Sequence, residues 1–192
     1  MFLQQLRIAV ITLALLSILT GILYPFAVTG VAQLAFHEKA NGSFIKKGGK
    51  VAGSELIGQP FTEPGYFWGR LSATSLIPYN AAASTGSNLG VLNPALLDAA
   101  SKRAAHLRGA QGQDTRPIPV DLLTASGSGL DPHISAAAAI YQVPRVARAR
   151  NMPEKEVQTL VDRCTEGRQF GFLGEPRVNV LQLNLALDEA KK

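Results

Sequence analysis

The feature that most constrains this chain is a long uncharged segment near its N-terminus. Arg7 is the only charged residue before His37, so residues 8–36 form a run of 29 positions without a charged side chain. Crossing the roughly 30 Å hydrocarbon core of a bilayer takes about 20 helical residues at about 1.5 Å each. Residues 8–28 meet that length and are rich in leucine and isoleucine, which favour insertion. The sequence therefore predicts a transmembrane anchor within residues 1–36.

A cleaved signal peptide is the alternative reading of this segment. The apolar core of a signal peptide usually spans about 7–15 residues, which is shorter than the core found here. Gly30-Val31-Ala32 nevertheless fits a cleavage site. Tyr24 and Pro25 lie near the far end of the span, where an aromatic ring and a helix stop suit the membrane interface.

Ala14, Ser17 and Gly21 fall on one stripe of the predicted helix. Small residues let another helix approach closely in lipid, so we expect this stripe to pack against a partner helix. Charge alone leaves the orientation open. Arg7 favours a cytoplasmic N-terminus, whereas four lysines after the span favour the opposite: Lys39, Lys46, Lys47 and Lys50.

Residues 37–192 have the composition of one ordinary globular domain. Turn-forming residues dominate positions 41–93, with short β-rich pieces at 43–45 and 65–68. Asn93 caps a predicted helix that runs to about residue 107. A second helix is predicted from about residue 131 to 147. The mixture predicts an α+β domain behind the anchor.

Four local assignments complete this interpretation. Residues 119–123 are predicted to form a short buried strand, and Pro144 to bend the second helix. Asn151 and Glu154 are spaced as a capping pair for a helix that ends near Cys164. Residues 178–187 are ambiguous between the end of a strand and a closing helix.

The charge pattern does not indicate a nucleic-acid-binding protein. The chain has a formal charge of +5, but its basic clusters lack interleaved aromatic residues. A basic collar beside a lipid surface explains Lys46, Lys47 and Lys50 equally well. Cys164 is the single cysteine, so no disulfide can form within the chain.

Residues 124–133 place two serines, an aspartate and a histidine close together in sequence. Neither Ser126 nor Ser128 has a glycine two residues to either side, so the nucleophile-elbow pattern is absent. The segment also lacks the Gly-Lys-Ser/Thr ending of a phosphate-binding loop. We expect a structural loop that precedes the next helix. The three histidines, His37, His106 and His133, lack the spacing of metal ligands. We therefore expect neither a metal site nor an enzyme.

A series of short blocks follows one order along most of the chain. In the first half the blocks are Thr20-Gly21, Tyr24-Pro25, Gln33, Ala40-Asn41-Gly42-Ser43, Ile57-Gly58-Gln59-Pro60-Phe61, Tyr66-Phe67-Trp68-Gly69-Arg70, Ser72-Ala73 and Gly86-Ser87-Asn88-Leu89. In the second half they are Val120-Asp121-Leu122, residues 124–131, residues 142–147, Val178-Asn179-Val180, Leu183-Asn184 and Ala186-Leu187-Asp188. Together they resemble the C subunit of the bacterial Kdp-type potassium-transporting ATPase. Leu71 departs from the family, in which a proline is expected before the serine.

The resemblance implies a non-catalytic subunit of a potassium-uptake complex in the bacterial inner membrane. Its implied partners are a channel-like potassium-translocating subunit, a P-type ATPase catalytic subunit, a small membrane peptide and membrane lipid. The family is described as a catalytic chaperone that raises the ATP affinity of the ATPase subunit, so ATP is implied through that subunit. By resemblance, Gln142 would contact nucleotide, with Ser126, Gly127, Ser128 and Gly129 near it in sequence.

The resemblance also implies that most of the chain lies outside the cytoplasm, where it could not touch cytoplasmic ATP. We therefore favour an extracytoplasmic domain that assembles and stabilises the complex. Two competing interpretations stay open. One is a membrane-anchored hydrolase that uses Ser126 or Ser128 with His133, and the other is a basic membrane-surface module.

Overall fold

The computed structural model describes residues 1–112 and 114–190 of the 192-residue chain. Its backbone divides into two compact units, Met1–Phe44 and Ile45–Lys192. The predicted α+β class is confirmed, because an apolar N-terminal helix is followed by helices and two small sheets. The boundary between residues 36 and 37 stays a prediction.

The first unit consists mainly of one long helix, Phe2–Ala35. It contains α1 (Phe2–Ile18), a π-type turn (Leu19–Leu23) and α2 (Tyr24–Ala35), and the short α3 (His37–Ala40) follows. At about 1.5 Å per residue its 34 residues measure about 51 Å, well above the roughly 30 Å of a hydrocarbon core. Within the described residues, this is the one helix long and apolar enough to cross a membrane.

The expectation that the helix ends at Tyr24 and Pro25 was wrong. Proline lacks an N–H, and its ring crowds the carbonyl four residues earlier. In the structure the helix widens into the π-type turn immediately before α2, and Pro25 lies in the first turn of α2, where a missing donor is tolerated. The hydroxyl of Thr20 donates to the carbonyl of Leu16 at 2.7 Å in the same region.

The second unit alternates short strands and helices. In chain order its elements are β1 (Phe44–Lys47, which starts at the boundary), β2 (Lys50–Ser54), a 3₁₀ turn (Ala81–Ala83), α4 (Pro94–Gln111), a second 3₁₀ turn (Val120–Leu122), β3 (His133–Ser135), α5 (Ala136–Arg150), α6 (Glu154–Arg163), β4 (Thr165–Glu166), β5 (Arg177–Asn179) and α7 (Val180–Ala190). Strands β1 and β2 form one sheet, and the other has the order β3-β5-β4 with antiparallel pairs. Helix α5 lies at the centre of the core.

The core surrounds the buried face of α5. That face is lined by small and β-branched residues, which let neighbouring elements approach closely: Ala138, Ala139, Val143, Val146 and Ala147. Helices α6 and α7 contribute Val157, Val161, Leu183 and Leu187. The aromatic side chains of Phe67 and Trp68 are buried in the same cluster, although these two residues belong to no regular strand.

Several local predictions can be compared with these elements. Asn93 caps α4 as predicted, because its side chain accepts a hydrogen bond from the Ala95 N–H at 3.0 Å. The second helix starts at Ala136, five residues later than predicted, because residues 133–135 pair with β5 and Ser135 is the cap. The ambiguous tail contains both predicted elements, the end of β5 and then α7.

Three other predictions were wrong. Residues 119–123 form a 3₁₀ turn, in which the N–H of Leu122 bonds the carbonyl of Pro119 instead of a neighbouring strand. Asn151 does not cap α6; it adopts a left-handed conformation that ends α5, and Pro153 takes the capping position. Residues 65–68 pair with side chains of two helices instead of with a strand.

Candidate functional site

Gln142 lies on the buried face of α5 and is 0% exposed. Its Oε1 accepts hydrogen bonds from the Trp68 N–H at 2.8 Å and from Arg145 Nη2 at 2.6 Å. Its Nε2 donates to the carbonyls of Trp68 at 3.1 Å and Ala138 at 3.2 Å. An amide side chain has two donor hydrogens and two acceptor lone pairs. The hydrogen-bonding capacity of Gln142 is therefore filled by groups of this chain.

Asn184 of α7 forms hydrogen bonds to the backbone of Phe67, as Gln142 does to the backbone of Trp68. Its Oδ1 accepts from the Phe67 N–H at 2.8 Å, and its Nδ2 donates to the Phe67 carbonyl at 3.0 Å. Both amide side chains are buried, and both bond the N–H and the C=O of a single residue. Because buried backbone groups must be paired, the two amides replace the strand that an extended segment would otherwise require.

Arg145 places a buried cation against the ring of Trp68. Its guanidinium carbon lies 4.1 Å from the ring centroid, and Nη1 donates to the carbonyls of Pro64 and Tyr66. Burial, together with the repulsion of the nearby cation Arg103, lowers the pKa of Arg145 to about 10. The group stays protonated at neutral pH. Its charge is balanced by carbonyl oxygens and the aromatic face instead of by a carboxylate.

An ion pair also contacts residues 64–68, which are called the aromatic segment below. Arg150 Nε donates to the Gly65 carbonyl at 2.6 Å, and Nη2 reaches Asp188 Oδ1 at 2.9 Å. Its guanidinium carbon lies 4.6 Å from the centroid of the Tyr66 ring. Burial opposes ionisation of Asp188, but hydrogen bonds from Arg150, Tyr66 and Lys47 outweigh it and lower the pKa of Asp188. Residues 64–68 are thus fixed from α5 and from α7.

The segment from Ser126 to Gly129 is fixed by different contacts. The buried Ser126 donates its N–H to the carbonyl of Leu71 at 3.1 Å, and the Gly129 carbonyl accepts from the hydroxyl of Ser72 at 2.7 Å. Gly129 has φ +69°, and a Cβ there would lie 2.6 Å from Thr85 O. Only glycine fits that position without strain.

The two exposed members of this loop are Gly127 and Ser128. The carbonyl of Ser128 accepts from the hydroxyl of Ser84 at 3.1 Å, and its own hydroxyl accepts from the Leu130 N–H at 3.1 Å. The carbonyl of Gly127 lies 2.8 Å from the point where a Cβ on Gly86 would stand, so two loops approach each other closely here.

Within the described residues, no hydrogen bond joins Gln142 to Ser126, Gly127, Ser128 or Gly129. The two regions are connected through residues 67–72, since Trp68 bonds Gln142 and Leu71 bonds Ser126. Between them, Arg70 donates to Asp131 Oδ2 at 3.0 Å and to the Ala125 carbonyl at 3.3 Å. The implied nucleotide residues therefore belong to two separate packing environments.

The serines and the histidine do not form a catalytic chain in the described part of the molecule. His133 Nδ1 lies 3.6 Å from Asp131 Oδ1, and neither Ser126 nor Ser128 has a hydrogen bond to His133. A nucleophile must lie within hydrogen-bond reach of its base. The described residues also contain no cluster of three or more His, Cys, Asp or Glu side chains that could hold a metal ion.

The small-residue stripe lies on α1 and on the π-type turn. Ala14 and Ser17 belong to α1, and Gly21 belongs to the turn Leu19–Leu23. All three are exposed, and a Cβ on Gly21 would meet no described atom within 4 Å apart from its chain neighbours and the adjacent helix backbone. The position is therefore open on the side from which another helix would approach.

Comparison with known proteins identifies the family. A model of the KdpC family, described as K⁺-transporting ATPase, c chain, matches residues 6–189. The chain belongs to the KdpC family. It is 63% identical over 180 residues to the potassium-transporting ATPase KdpC subunit of Methylococcus capsulatus, covering 94% of this chain and 95% of that protein. The KdpC subunit of Paraburkholderia xenovorans is 59% identical over 186 residues, 97% of each chain, and that of Sorangium cellulosum is 58% identical over 189 residues, covering 98% of this chain and 100% of that protein.

Membership of the KdpC family confirms the resemblance seen in the sequence blocks. The sequence did not predict the structural role of four residues that hold residues 64–68: Arg145, Arg150, Asn184 and Asp188. Arg145, Asn184 and Asp188 lie inside the sequence blocks that carry the family resemblance, but those blocks did not indicate which contacts the three side chains make. A buried amide that bonds the N–H and C=O of one distant residue leaves no signature in sequence spacing, because its partner is about 75 to 120 positions away.

Proposed function

We propose that this chain, as the c chain of a potassium-transporting ATPase, helps to assemble and stabilise the complex and catalyses no step itself. The observation that carries the proposal is the environment of Gln142. Its amide bonds Trp68, Ala138 and Arg145 and has no remaining capacity for a ligand. To bind nucleotide, Gln142 would have to release the backbone of Trp68 in the core.

The partners proposed are the other subunits of such a complex. They are a channel-like potassium-translocating subunit, a P-type ATPase catalytic subunit and a small membrane peptide. Family membership supports a place in this assembly. Any ATP requirement then acts through the catalytic subunit, and the folded domain of this chain influences it by keeping the assembly intact.

The proposed location is the bacterial inner membrane, with one crossing and with the folded domain outside the cytoplasm. The helix Phe2–Ala35 supports the crossing, and Arg7 in its first turns supports a cytoplasmic N-terminus. Protease added to spheroplasts should digest the folded domain. Full protection until lysis would contradict this orientation.

The proposed helix-packing face contains Ala14, Ser17 and Gly21. Close approach of two helices in lipid relies on small side chains. The π-type turn and Pro25 add a local irregularity to the same region of the helix. Such irregular turns are stabilised in membranes when a neighbouring helix packs against them.

The experiment that tests this function compares stability with ATP dependence in one preparation of the complex. Gln142→Ala should destabilise the folded domain by about 2–4 kcal/mol, because it leaves buried N–H and C=O groups of Trp68 unpaired. The apparent ATP affinity of the assembled complex should not change.

The matched control is Gln158→Ala, which removes a half-buried amide from α6 whose Nε2 bonds Asp162. It should change neither the melting temperature nor the ATP dependence. A Gln142→Ala complex that melts normally but needs more ATP would contradict the structural role and favour direct contact with nucleotide.

A further inference from the structure

The connection between β4 and β5 exposes three large apolar side chains close together in sequence. Phe170 is 86% exposed, Phe172 is 70% exposed and Leu173 is 47% exposed. With about 150–250 Å² per aromatic side chain, the two rings alone present roughly 300 Å². Apolar patches of that size on soluble surfaces are often functional. Residues 170–173 are called the aromatic tip below.

The aromatic tip is built on a braced hairpin. Gln169 and Leu173 exchange two backbone hydrogen bonds of 2.9 Å, and Arg168 Nη2 bonds both carboxylate oxygens of Glu175 at 2.7 and 2.6 Å. Phe170 has φ +53°, a conformation that non-glycine residues rarely adopt. The turn therefore holds its rings outward in a defined shape. A surface that is already ordered loses less conformational entropy on binding.

The charges beside the aromatic tip are paired within the hairpin. Arg168 bonds Glu175, and Arg177 bonds Glu166 at 3.0 Å, so residues 165–177 carry no net charge. An anionic lipid surface selects unpaired basic side chains. An interface core between proteins is instead poor in charge and enriched in aromatic residues. This charge arrangement complements an apolar protein pocket better than a lipid surface.

The size of the aromatic tip indicates an anchor instead of a complete interface. A stable interface of standard size buries about 800 Å² on each partner, well above the roughly 300 Å² of the two rings. The proposed packing of the N-terminal helix supplies a second attachment to the same complex. Two linked attachments bind far more tightly than either alone, because the first raises the effective concentration of the second.

We propose that the aromatic tip docks into an apolar pocket on the folded, extramembrane surface of another subunit of the same ATPase complex. Phe170 and Phe172 fill the pocket, and the paired Arg168 and Glu175 lie at its rim. This inference rests on the proposed function, since it requires the chain to assemble with other subunits.

Site-specific photo-crosslinking in the full complex tests the occupant. Benzoylphenylalanine at position 172 should give a covalent product with another subunit, identified by mass spectrometry. The matched control is the same probe at Val120, which is 71% exposed and lies elsewhere on the domain. A product only with a second copy of this chain, only with lipid, no product, or equal products from both positions would overturn the proposal.

A pair of substitutions tests the energetic role. Phe170→Ser with Phe172→Ser should lower recovery of the other subunits about tenfold and leave the melting temperature of the chain unchanged, because both rings are exposed. Val91→Ser with Leu92→Ser removes an equally exposed apolar pair and should recover the subunits normally. Unchanged recovery with the phenylalanine variant, or equal loss with both variants, overturns docking through the tip. Failure of the unaltered chain to recover any subunit would instead contradict the proposed function.

Discussion

Two helical stretches of this chain contain an internal proline, and they satisfy the surrounding backbone in different ways. In α5, Pro144 follows a turn whose backbone carbonyls accept hydrogen bonds from side chains of the same unit. Gln111 and Arg116 both donate to the Tyr141 carbonyl, and Gln142 donates to the Ala138 carbonyl. In the N-terminal helix, the described residues provide one such bond, from Thr20 to Leu16, before Pro25.

The difference follows from the surroundings of each helix. Helix α5 is covered by other elements of its unit, so polar side chains can reach its backbone from several directions. The described residues of the N-terminal helix are almost all exposed, and the hydroxyl of Thr20 makes the side-chain hydrogen bond to its backbone, at Leu16. A proline in a membrane helix is tolerated when neighbouring groups compensate for the missing donor. We infer that groups of its own unit stabilise the backbone around Pro144 in α5, whereas partner helices stabilise the backbone around Pro25 in the N-terminal helix.

The largest effect is expected for Asn184→Ala, in the folded unit that contains α5 and α7. The substitution removes both hydrogen bonds to Phe67 and leaves its buried N–H and C=O unpaired. Each of the two unpaired groups costs about 1–3 kcal/mol, so the variant should lose about 2–6 kcal/mol of unfolding free energy. Urea denaturation of the full-length chain in detergent measures this loss. Gln182→Ala on the same helix is the control, and equal loss in both variants would contradict the role of Asn184.

The apolar N-terminal helix, the fold class and the cap of α4 could be predicted because each depends on residues close in sequence. The length of an apolar run and the pair Asn93-Pro94 have local physical causes. The extended segment at Phe67 and Trp68 was predicted as a strand because its residues favour β structure. Propensity does not reveal that two side-chain amides, and not a strand, would pair with it.

The candidate site was less predictable for the same reason. Gln142 and the loop from Ser126 to Gly129 are near in sequence, but β3 and the first turns of α5 lie between them in the chain. In the structure each region forms hydrogen bonds to residues 67–72. Asn151 illustrates the limit at a smaller scale. Asparagine suits both an N-cap and a left-handed helix end, and only the packing of α5 against α6 decides between these roles.

Gly21→Ile tests whether the N-terminal helix packs against a partner helix, and its expected effect is smaller. A Cβ at Gly21 meets no described atom beyond the adjacent backbone of its own helix, so the variant should insert and form its helix normally. A branched side chain would nevertheless block close approach of a partner helix. Recovery of the other subunits should fall about tenfold, whereas Leu16→Ile should recover them normally. Equal recovery with both variants would remove the support for packing at Ala14, Ser17 and Gly21.

The smallest expected effect concerns the ion pair that fixes the aromatic segment, and it depends on pH. Hydrogen bonds from Arg150, Tyr66 and Lys47 lower the pKa of Asp188 in the folded chain against the opposing effect of burial. A carboxyl group whose pKa is lower in the folded state stabilises the fold above its unfolded pKa, near 3.9, and loses that contribution as pH falls through the folded pKa. Asp188→Asn should therefore cost about 1 kcal/mol or less at pH 7, because the carboxylate is partly exposed. The difference from the unaltered chain should shrink as the pH is lowered below about 4.

Urea denaturation of both chains at pH 7 and at pH 3 measures this difference in unfolding free energy, with Asp98→Asn on the exposed face of α4 as the control. A difference of the same size at both pH values would mean that Asp188 acts through its shape and neutral hydrogen bonds instead of through its charge.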